Sequence, residues 1–321
     1  MYLLEFAGED DTFAAAEARA AATDVAVLGP GVGTAQSLSL KKAADLAFTH
    51  RASEFLDKTT ADVGALVDHL EAASLDREGP VAVRARDVRG TAGVDTQTAE
   101  RRLGQVFVDR GFEIDLSNPA QTLVALFTDD VGVLGWEVAS SRREYGERAP
   151  TDRPFFQPGS MDPLLARAVN NLAGVEAGDL VLDPMCGTGG LLIEAGLLGA
   201  RPIGIDAQEK MVRGAETNLR SELDGPVLVA RGDGTALPLP DDSVDAVVFD
   251  APYGRQSKVE THGLEELVRG ALREAHRVAP RAVLVADRSY ENLIHEAGWN
   301  LLETHVRPVH RSLTRYVHVL E

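Results

Sequence analysis

Four aspartates, each closing or just following a short apolar run, carry the chemistry that this chain can do: Asp183 in L-V-L-D, Asp206 in P-I-G-I-D, Asp233 in V-A-R-G-D-G and Asp250 in V-V-F-D. The first opens the stretch D-P-M-C-G-T-G-G, residues 183–190, which is followed by the helix-like Leu191–Leu198. A strand, a glycine turn and a helix start make a nucleotide-binding crevice: the glycines admit a ligand close to the backbone, and free N–H groups face a negative group. The spacing is not G-x-G-x-x-G, so a dinucleotide is not the first expectation. A carboxylate ahead of the turn suits a ligand bearing an ammonium. S-adenosylmethionine carries one, along with an adenosine and a transferable methyl group. The residues expected to hold it are Asp183, Cys186, Gly187, Gly189, Asp206, Asp233, Gly234 and Asp250, with Asp206 on the ribose hydroxyls and Asp233 on the adenine amine. Cys186 is read as a small side chain that fits the turn, not as a nucleophile.

The second chemical stretch is D-A-P-Y-G, residues 250–254. It resembles the Asp/Asn-Pro-Pro-Tyr/Phe signature of methyltransferases that act on exocyclic amines of bases. Such an amine is a weak nucleophile because its lone pair is delocalised into the ring. Asp250 and a backbone carbonyl of the turn can accept its N–H groups and help the nitrogen pyramidalise. Pro252 shapes the turn, and Tyr253 offers a face for a base that has left its stack at a cost of a few kcal/mol. Ala251 stands where proline is commoner, which keeps the carbonyl and loosens the turn.

Parallel strands must bring those four acids to one edge. From position 179 onward the sequence alternates: strands at Leu180–Leu182, Pro202–Ile205, Val227–Val229, Val244–Phe249 and Ala282–Ala286, helices at Leu191–Leu198, Glu209–Glu222, Leu264–Val278 and Tyr290–Ala297. This predicts a doubly wound parallel sheet. Leu301–Val306 and Thr314–Leu320 are separated by a turn too short for a crossover, so they are expected to pair antiparallel. In that hairpin Arg307, His310, Arg311, Arg315 and His318 suit either phosphate contact or a solvated turn. Ser160 is expected to cap a helix with Pro163 in its first turn and Gly174 at its end.

The N-terminal half reads as α+β. Expected are a strand at Tyr2–Phe6, helices at Phe13–Ala22 and Leu40–Leu56 and a strand at Val25–Leu28. They are followed by a helix at Asp62–Ala73, a strand at Pro80–Arg86, a helix at Thr98–Arg110, and strands at Phe112–Leu116, Thr122–Thr128 and Gly132–Val138. Trp136 is read as core. Residues 1–58 and 59–140 are taken as two small units, 141–158 as an arginine- and proline-rich linker, and 159–321 as the catalytic domain.

Length and composition are globular: 321 residues, 44% hydrophobic. The net charge of −18 rests on 50 acids against 32 basic residues, of which only five are lysine. A dense acidic surface poor in lysine suits concentrated salt, where screening shrinks to roughly 3 Å and net charge no longer excludes a polyanionic partner. No apolar run is long enough for a membrane span, and the N-terminus lacks the basic region of a signal peptide, so a cytoplasmic protein without membrane partners is expected. One cysteine leaves no disulfide and no cysteine–histidine metal framework.

Taken whole, the chain resembles the archaeal THUMP-domain tRNA (guanine-10-N2) methyltransferases. The resemblance rests on residues 183–190, on D-A-P-Y-G-R-Q-S at 250–257, on R-P-F-F-Q-P-G-S-M-D-P-L-L-A-R-A-V-N-N-L-A at 153–173, and more loosely on D-L-S-N-P at 115–119 followed by V-L-G-W at 133–136. It implies an α/β fold: a Rossmann-like class I methyltransferase domain with a C-terminal antiparallel hairpin, preceded by an α+β ferredoxin-like part and a THUMP domain that bind tRNA. It implies Asp183, Gly187, Gly189, Asp206 and Asp233 for the cofactor, and Asp250, Pro252 and Tyr253 for the amine. Some relatives work with a small zinc-binding activator subunit. For RNA contacts, Arg84, Arg86, Arg89, Arg101 and Arg102 are candidates. Two other readings stay open: methylation of another amine such as adenine N6, and an RNA-binding protein without catalysis, against which Asp250 and Tyr253 argue.

Overall fold

In a computed structural model that describes residues 1–252, 263–310 and 313–321, the chain divides into two compact units, Met1–Arg142 and Arg143–Glu321.

The first unit contains β1 (Tyr2–Phe6), α1 (Asp11–Ala18), β2 (Ala22–Thr23), β3 (Ala26–Gly29), β4 (Val32–Ala35), β5 (Ser37–Leu38), α2 (Leu40–Ala43), β6 (Thr49–Thr60), α3 (Val63–Ala72), β7 (Val81–Asp87), α4 (Thr96–Asp109), β8 (Gln121–Thr128) and β9 (Val131–Ser140). One mixed sheet runs β3-β4-β1-β6-β9-β8-β7, and β2 pairs with β5. The apolar stripes of α3 and α4 (Leu66, Leu70, Leu103, Phe107) close over β7–β9, where Trp136 is buried as expected and meets Phe107 edge-on at 5.7 Å.

Two expectations fail here for definite reasons. The helix expected over Leu40–Leu56 stops at Ala43. The buried carboxylate of Glu17 accepts the N–H groups of Ala47 and Phe48, both at 2.6 Å, and the chain then enters β6. Register shifts at Ala52/Ser53 and Phe55/Asp57 mark bulges in β6 that break its two-residue alternation, which is why its apolar spacing imitates a helix. Phe112–Leu116 forms only a single bridge, Ile114 to Val81, because the Asp115 carboxylate draws the N–H groups of Ser117 and Asn118 into a turn.

The second unit contains α5 (Pro163–Leu172), β10 (Leu180–Asp183), α6 (Gly190–Leu197), β11 (Arg201–Asp206), α7 (Glu209–Glu222), β12 (Leu228–Arg231), β13 (Ala246–Asp250), α8 (Leu264–Val278), β14 (Ala282–Ala286), α9 (Glu291–Glu296), β15 (Leu301–His310) and β16 (Leu313–Leu320). The sheet order is β12-β11-β10-β13-β14-β16-β15. The first five strands are parallel, and β16 pairs antiparallel with both β14 and β15. This is the Rossmann-like arrangement with its terminal hairpin. Alternate residues of β13 and β14 meet α8 and α9 in the larger core (Val247, Phe249, Leu284, Leu272, Ile294).

Residues 143–158, most of the expected linker 141–158, belong to this unit. Arg148 joins Arg167 on the fully buried Glu194 of α6, at 3.0 and 2.8 Å. Asn218 of α7, also fully buried, binds Phe155 in both directions, accepting from its N–H and donating to its carbonyl, each at 2.8 Å. The Phe155 ring lies on Gly214, where no side chain would fit. Arginine and proline content suggested a linker, whereas its half-buried Arg148 anchors the segment to Glu194. The α5 cap also differs from expectation: Asp162 accepts from the Leu164 N–H at 2.9 Å, and the Ser160 hydroxyl instead meets the Gln157 carbonyl and Thr188 Oγ1, at 2.7 and 3.0 Å.

Removing Glu194 leaves the buried Arg167 and the half-buried Arg148 without their acid, a loss of about 3–5 kcal/mol. Denaturant unfolding of Glu194→Ala should show a loss of that size in the transition of the catalytic unit. A change under about 1 kcal/mol would contradict the anchoring role.

Candidate active site

Parallel register sets the site. Asp183, Asp206 and Asp250 are the last residues of β10, β11 and β13, and Asp233 lies two residues beyond β12. These four strands are adjacent, so all four acids stand at one C-terminal sheet edge, where doubly wound folds bind ligands.

The turn after β10 is held from both sides. Met185 N–H donates to the Asp183 carboxylate at 3.0 Å, Cys186 N–H to the Ile205 carbonyl at 2.9 Å, and Gly187 N–H to the Asp206 carboxylate at 3.0 Å. The other Asp206 oxygen accepts from Gln208 N–H at 2.9 Å. Gly187 and Gly189 have φ of +52° and +81°, conformations that L side chains rarely adopt. A Cβ on Gly189 would also stand 2.5 Å from Leu219 Cδ1. Thr188 at the crest of the turn is fixed through its carbonyl by Asn218 and through its hydroxyl by Ser160. Asn218 and Ser160 were not expected to support the turn. Ser160 falls within the stretch 153–173 that carries the resemblance, whereas nothing in the sequence singled out Asn218.

Cys186 is buried against Leu192, Ala215 and Leu219. Burial pushes its thiol well above the ordinary range, and Asp183 and Asp206 add to the push, so it is a packing residue within the turn and no nucleophile. Gly234 is buried, and a Cβ there would meet the Pro184 carbonyl at 2.8 Å, which lets the segment after β12 approach the turn after β10. Asp233 is exposed, and one of its oxygens accepts from the Thr235 N–H and hydroxyl.

Three of the acids act on one another. Burial raises the Asp183 carboxyl well above its ordinary value, and Asp206 and Asp250 push it further in the same direction. Burial also raises Asp206, opposed by its two backbone N–H donors. A cation placed among them would remove that penalty, which is the electrostatic fit expected for a ligand carrying an ammonium and a sulfonium. Asp250 is half-buried. The next residue, Ala251, is buried and donates its N–H to the Val285 carbonyl at 2.8 Å, which fixes where the D-A-P turn leaves the sheet. Pro252 follows, half-buried. Tyr253 lies outside the described residues.

Among the candidate RNA-contacting arginines of the first unit, three are engaged within it. Arg84 donates to the Leu116 carbonyl at 2.6 Å, Arg86 pairs with buried Glu5, and Arg89 forks onto Asp11. Arg101 and Arg102 are exposed on α4. Among the described residues, no helix is long and apolar enough to cross a membrane.

Residues 150–317 match the family model described as RMKL-like, methyltransferase domain. The tRNA (guanine(10)-N2)-dimethyltransferase of Methanothermobacter thermautotrophicus is 38% identical over 86% of this chain and 83% of its own length. The enzyme of the same name from Pyrococcus abyssi is 31% identical over 76% of this chain and 74% of its own. Among solved structures, TrmN from Thermus thermophilus superimposes with a TM-score of 0.53 at 25% identity, covering 100% of this chain and 99% of that one.

The raised Asp183 carboxyl carries a stability prediction. From its ordinary value of 3.8 upward the folded protein holds this proton and the unfolded chain releases it, so stability falls as pH rises through that range. Asp183→Asn removes the decline. Without cofactor, the variant should melt above wild type near neutral pH, the gap should close near pH 4, and cofactor affinity should be lost. A variant that melts below wild type at neutral pH would contradict the assignment.

Proposed function

The chain belongs to the archaeal tRNA (guanine(10)-N2)-dimethyltransferase family, and we propose that it transfers one or two methyl groups from S-adenosylmethionine to the exocyclic N2 of guanosine 10 in tRNA. The observation that carries this reading is the half-buried Asp250 at the end of β13, one strand from the glycine turn of β10 and on the same sheet edge.

Within this reading the four acids divide. Asp183, the turn from Cys186 to Gly189, Asp206, Asp233 and Gly234 hold the cofactor. The buried acids match its cationic groups, and the backbone N–H groups and small residues admit its close approach. Bound there, the cofactor supplies an electrophilic methyl group. Asp250 then acts on the substrate. Its carboxylate accepts an N–H of the guanine amine, which draws the nitrogen lone pair out of conjugation and orients it. The turn through Ala251 and Pro252 offers a backbone carbonyl as second acceptor, and Pro252 brings no N–H of its own to compete. Tyr253 stacks on the extruded base. Residues 1–58 as a ferredoxin-like part and 59–140 as a THUMP domain hold the tRNA. The tRNA substrate places the work in the cytoplasm. A small zinc-binding activator subunit is supported by the family resemblance alone, and a habitat in concentrated salt by the composition alone.

The test is transfer of label from S-adenosylmethionine to unmodified tRNA in concentrated potassium chloride, followed by nucleoside digestion. Wild type should yield guanosine methylated at N2, and Asp250→Ala should lower the rate at least about a hundredfold. Label on adenosine would replace the substrate, and undiminished turnover by the variant would remove Asp250 from its role.

A further inference from the structure

Asp233 differs from the other three acids in how it is held. Asp183 and Asp206 are buried and Asp250 is half-buried, whereas Asp233 is exposed and lies two residues beyond β12, an edge strand of its sheet. Burial does not orient it, so its direction depends on local bonds. Thr235 supplies two of them: its N–H at 2.9 Å and its hydroxyl at 2.8 Å both donate to the same oxygen, Oδ1. Two donors converging on one oxygen restrict rotation of the carboxylate.

Thr235 is in turn seated on α8. A Cβ on Gly270 would stand 2.6 Å from Thr235 Cγ2 and 2.7 Å from its Cβ, so the threonine lies directly on the bare backbone of the helix. Four and seven residues further along α8, on the same face, Glu274 and Arg277 hold the rest of the segment. The Leu237 N–H donates to Glu274 Oε2 at 2.7 Å. Arg277 donates to the carbonyls of Leu237 and Leu239, at 3.2 and 2.7 Å, and to the Asp241 carboxylate at 2.8 Å. Glu274 and Arg277 also pair with each other at 2.7 Å. Residues 235, 237, 239 and 241 are thus fixed in turn by a helix whose other face (Val268, Leu272, Ala275) lies in the core. A side chain braced on such a rigid element keeps one direction. A carboxylate held in one direction distinguishes ligand edges: it accepts from an amine and repels a carbonyl oxygen.

We propose that Thr235, seated on Gly270, is the positioning residue that aims Asp233 at the adenine amine of the cofactor and thereby sets a preference for adenine over a 6-oxopurine. The inference rests on the reading that Asp233 receives that amine. Glu274 and Arg277 keep the segment on α8, so the helix supplies the rigidity and Thr235 the direction.

Calorimetric titration of the full-length chain with S-adenosylhomocysteine and with S-inosylhomocysteine, which carries a 6-oxo group in place of the amine, tests this. Wild type should bind the adenine form at least about tenfold tighter, because the oxo group leaves the carboxylate without its donor. Thr235→Val keeps the side chain's shape and the N–H but removes the hydroxyl. It should weaken the adenine form about five- to tenfold, leave the inosine form within about twofold, and so compress the ratio. Thr235→Ser should restore the ratio, because it restores the donor. Gly270→Ala leaves Asp233 and Thr235 chemically intact, and by displacing Thr235 it should compress the ratio as well. A wild-type ratio in Thr235→Val or in Gly270→Ala would overturn this inference alone. Equal weakening of both ligands would also overturn it, in favour of a structural role. A wild type that binds the two forms equally would bring down the reading of Asp233, and this inference with it.

Discussion

The hydrogen bond from the Gly187 N–H to the Asp206 carboxylate is the contact on which the rest of the site depends. It ties the turn after β10 to the end of β11, and the Cys186 N–H repeats the tie through the Ile205 carbonyl. Two neighbouring parallel strands are thereby closed at the edge where a ligand enters. The bond also explains why Asp206 tolerates burial: its two N–H donors offset part of the desolvation that raises its carboxyl. Among the described residues Asp183 has a single such donor, and it bears a larger penalty. A buried acid with incomplete compensation beside two others is a stability cost in the protein alone. It becomes an asset when a cation arrives, because the binding energy then includes release of that cost.

Support for the turn comes from the segment ahead of the catalytic sheet. Asn218 holds Phe155 and Thr188 together, Ser160 touches Thr188, and Arg148 reaches Glu194 on the helix that the turn begins. The positioning of the glycine turn is thus built from residues far apart in sequence. A cofactor that orders the turn would act through the same contacts on residues 153–160.

Much of this architecture is legible without coordinates, and the limits follow from physics. The helices Glu209–Glu222 and Leu264–Val278 show clean 3.6-residue periodicity, because each buries one face against a sheet and exposes the other. The four acids are legible because a doubly wound sheet leaves little choice about which strand ends share an edge. Leu40–Leu56 misleads because bulges in β6 convert strand alternation into helical spacing, and because the carboxylate that ends the helix is Glu17, remote in sequence. Ser160 misleads as a cap because its hydroxyl is drawn to Thr188, remote in sequence, while Asp162 two residues on accepts the Leu164 N–H.

In the proposed reaction one sheet edge carries acids with two different duties: Asp183, Asp206 and Asp233 toward the cofactor, and Asp250 toward the amine. Calorimetric titration of S-adenosylmethionine into wild type, Asp206→Asn, Asp233→Asn and Asp250→Asn, in one buffer, tests it most directly. Asp206→Asn and Asp233→Asn should each lose about tenfold or more in affinity, as expected for the loss of a hydrogen bond to a charged acceptor, while Asp250→Asn should stay within about threefold of wild type. Equal losses at all three positions, or a loss confined to Asp250, would contradict the division.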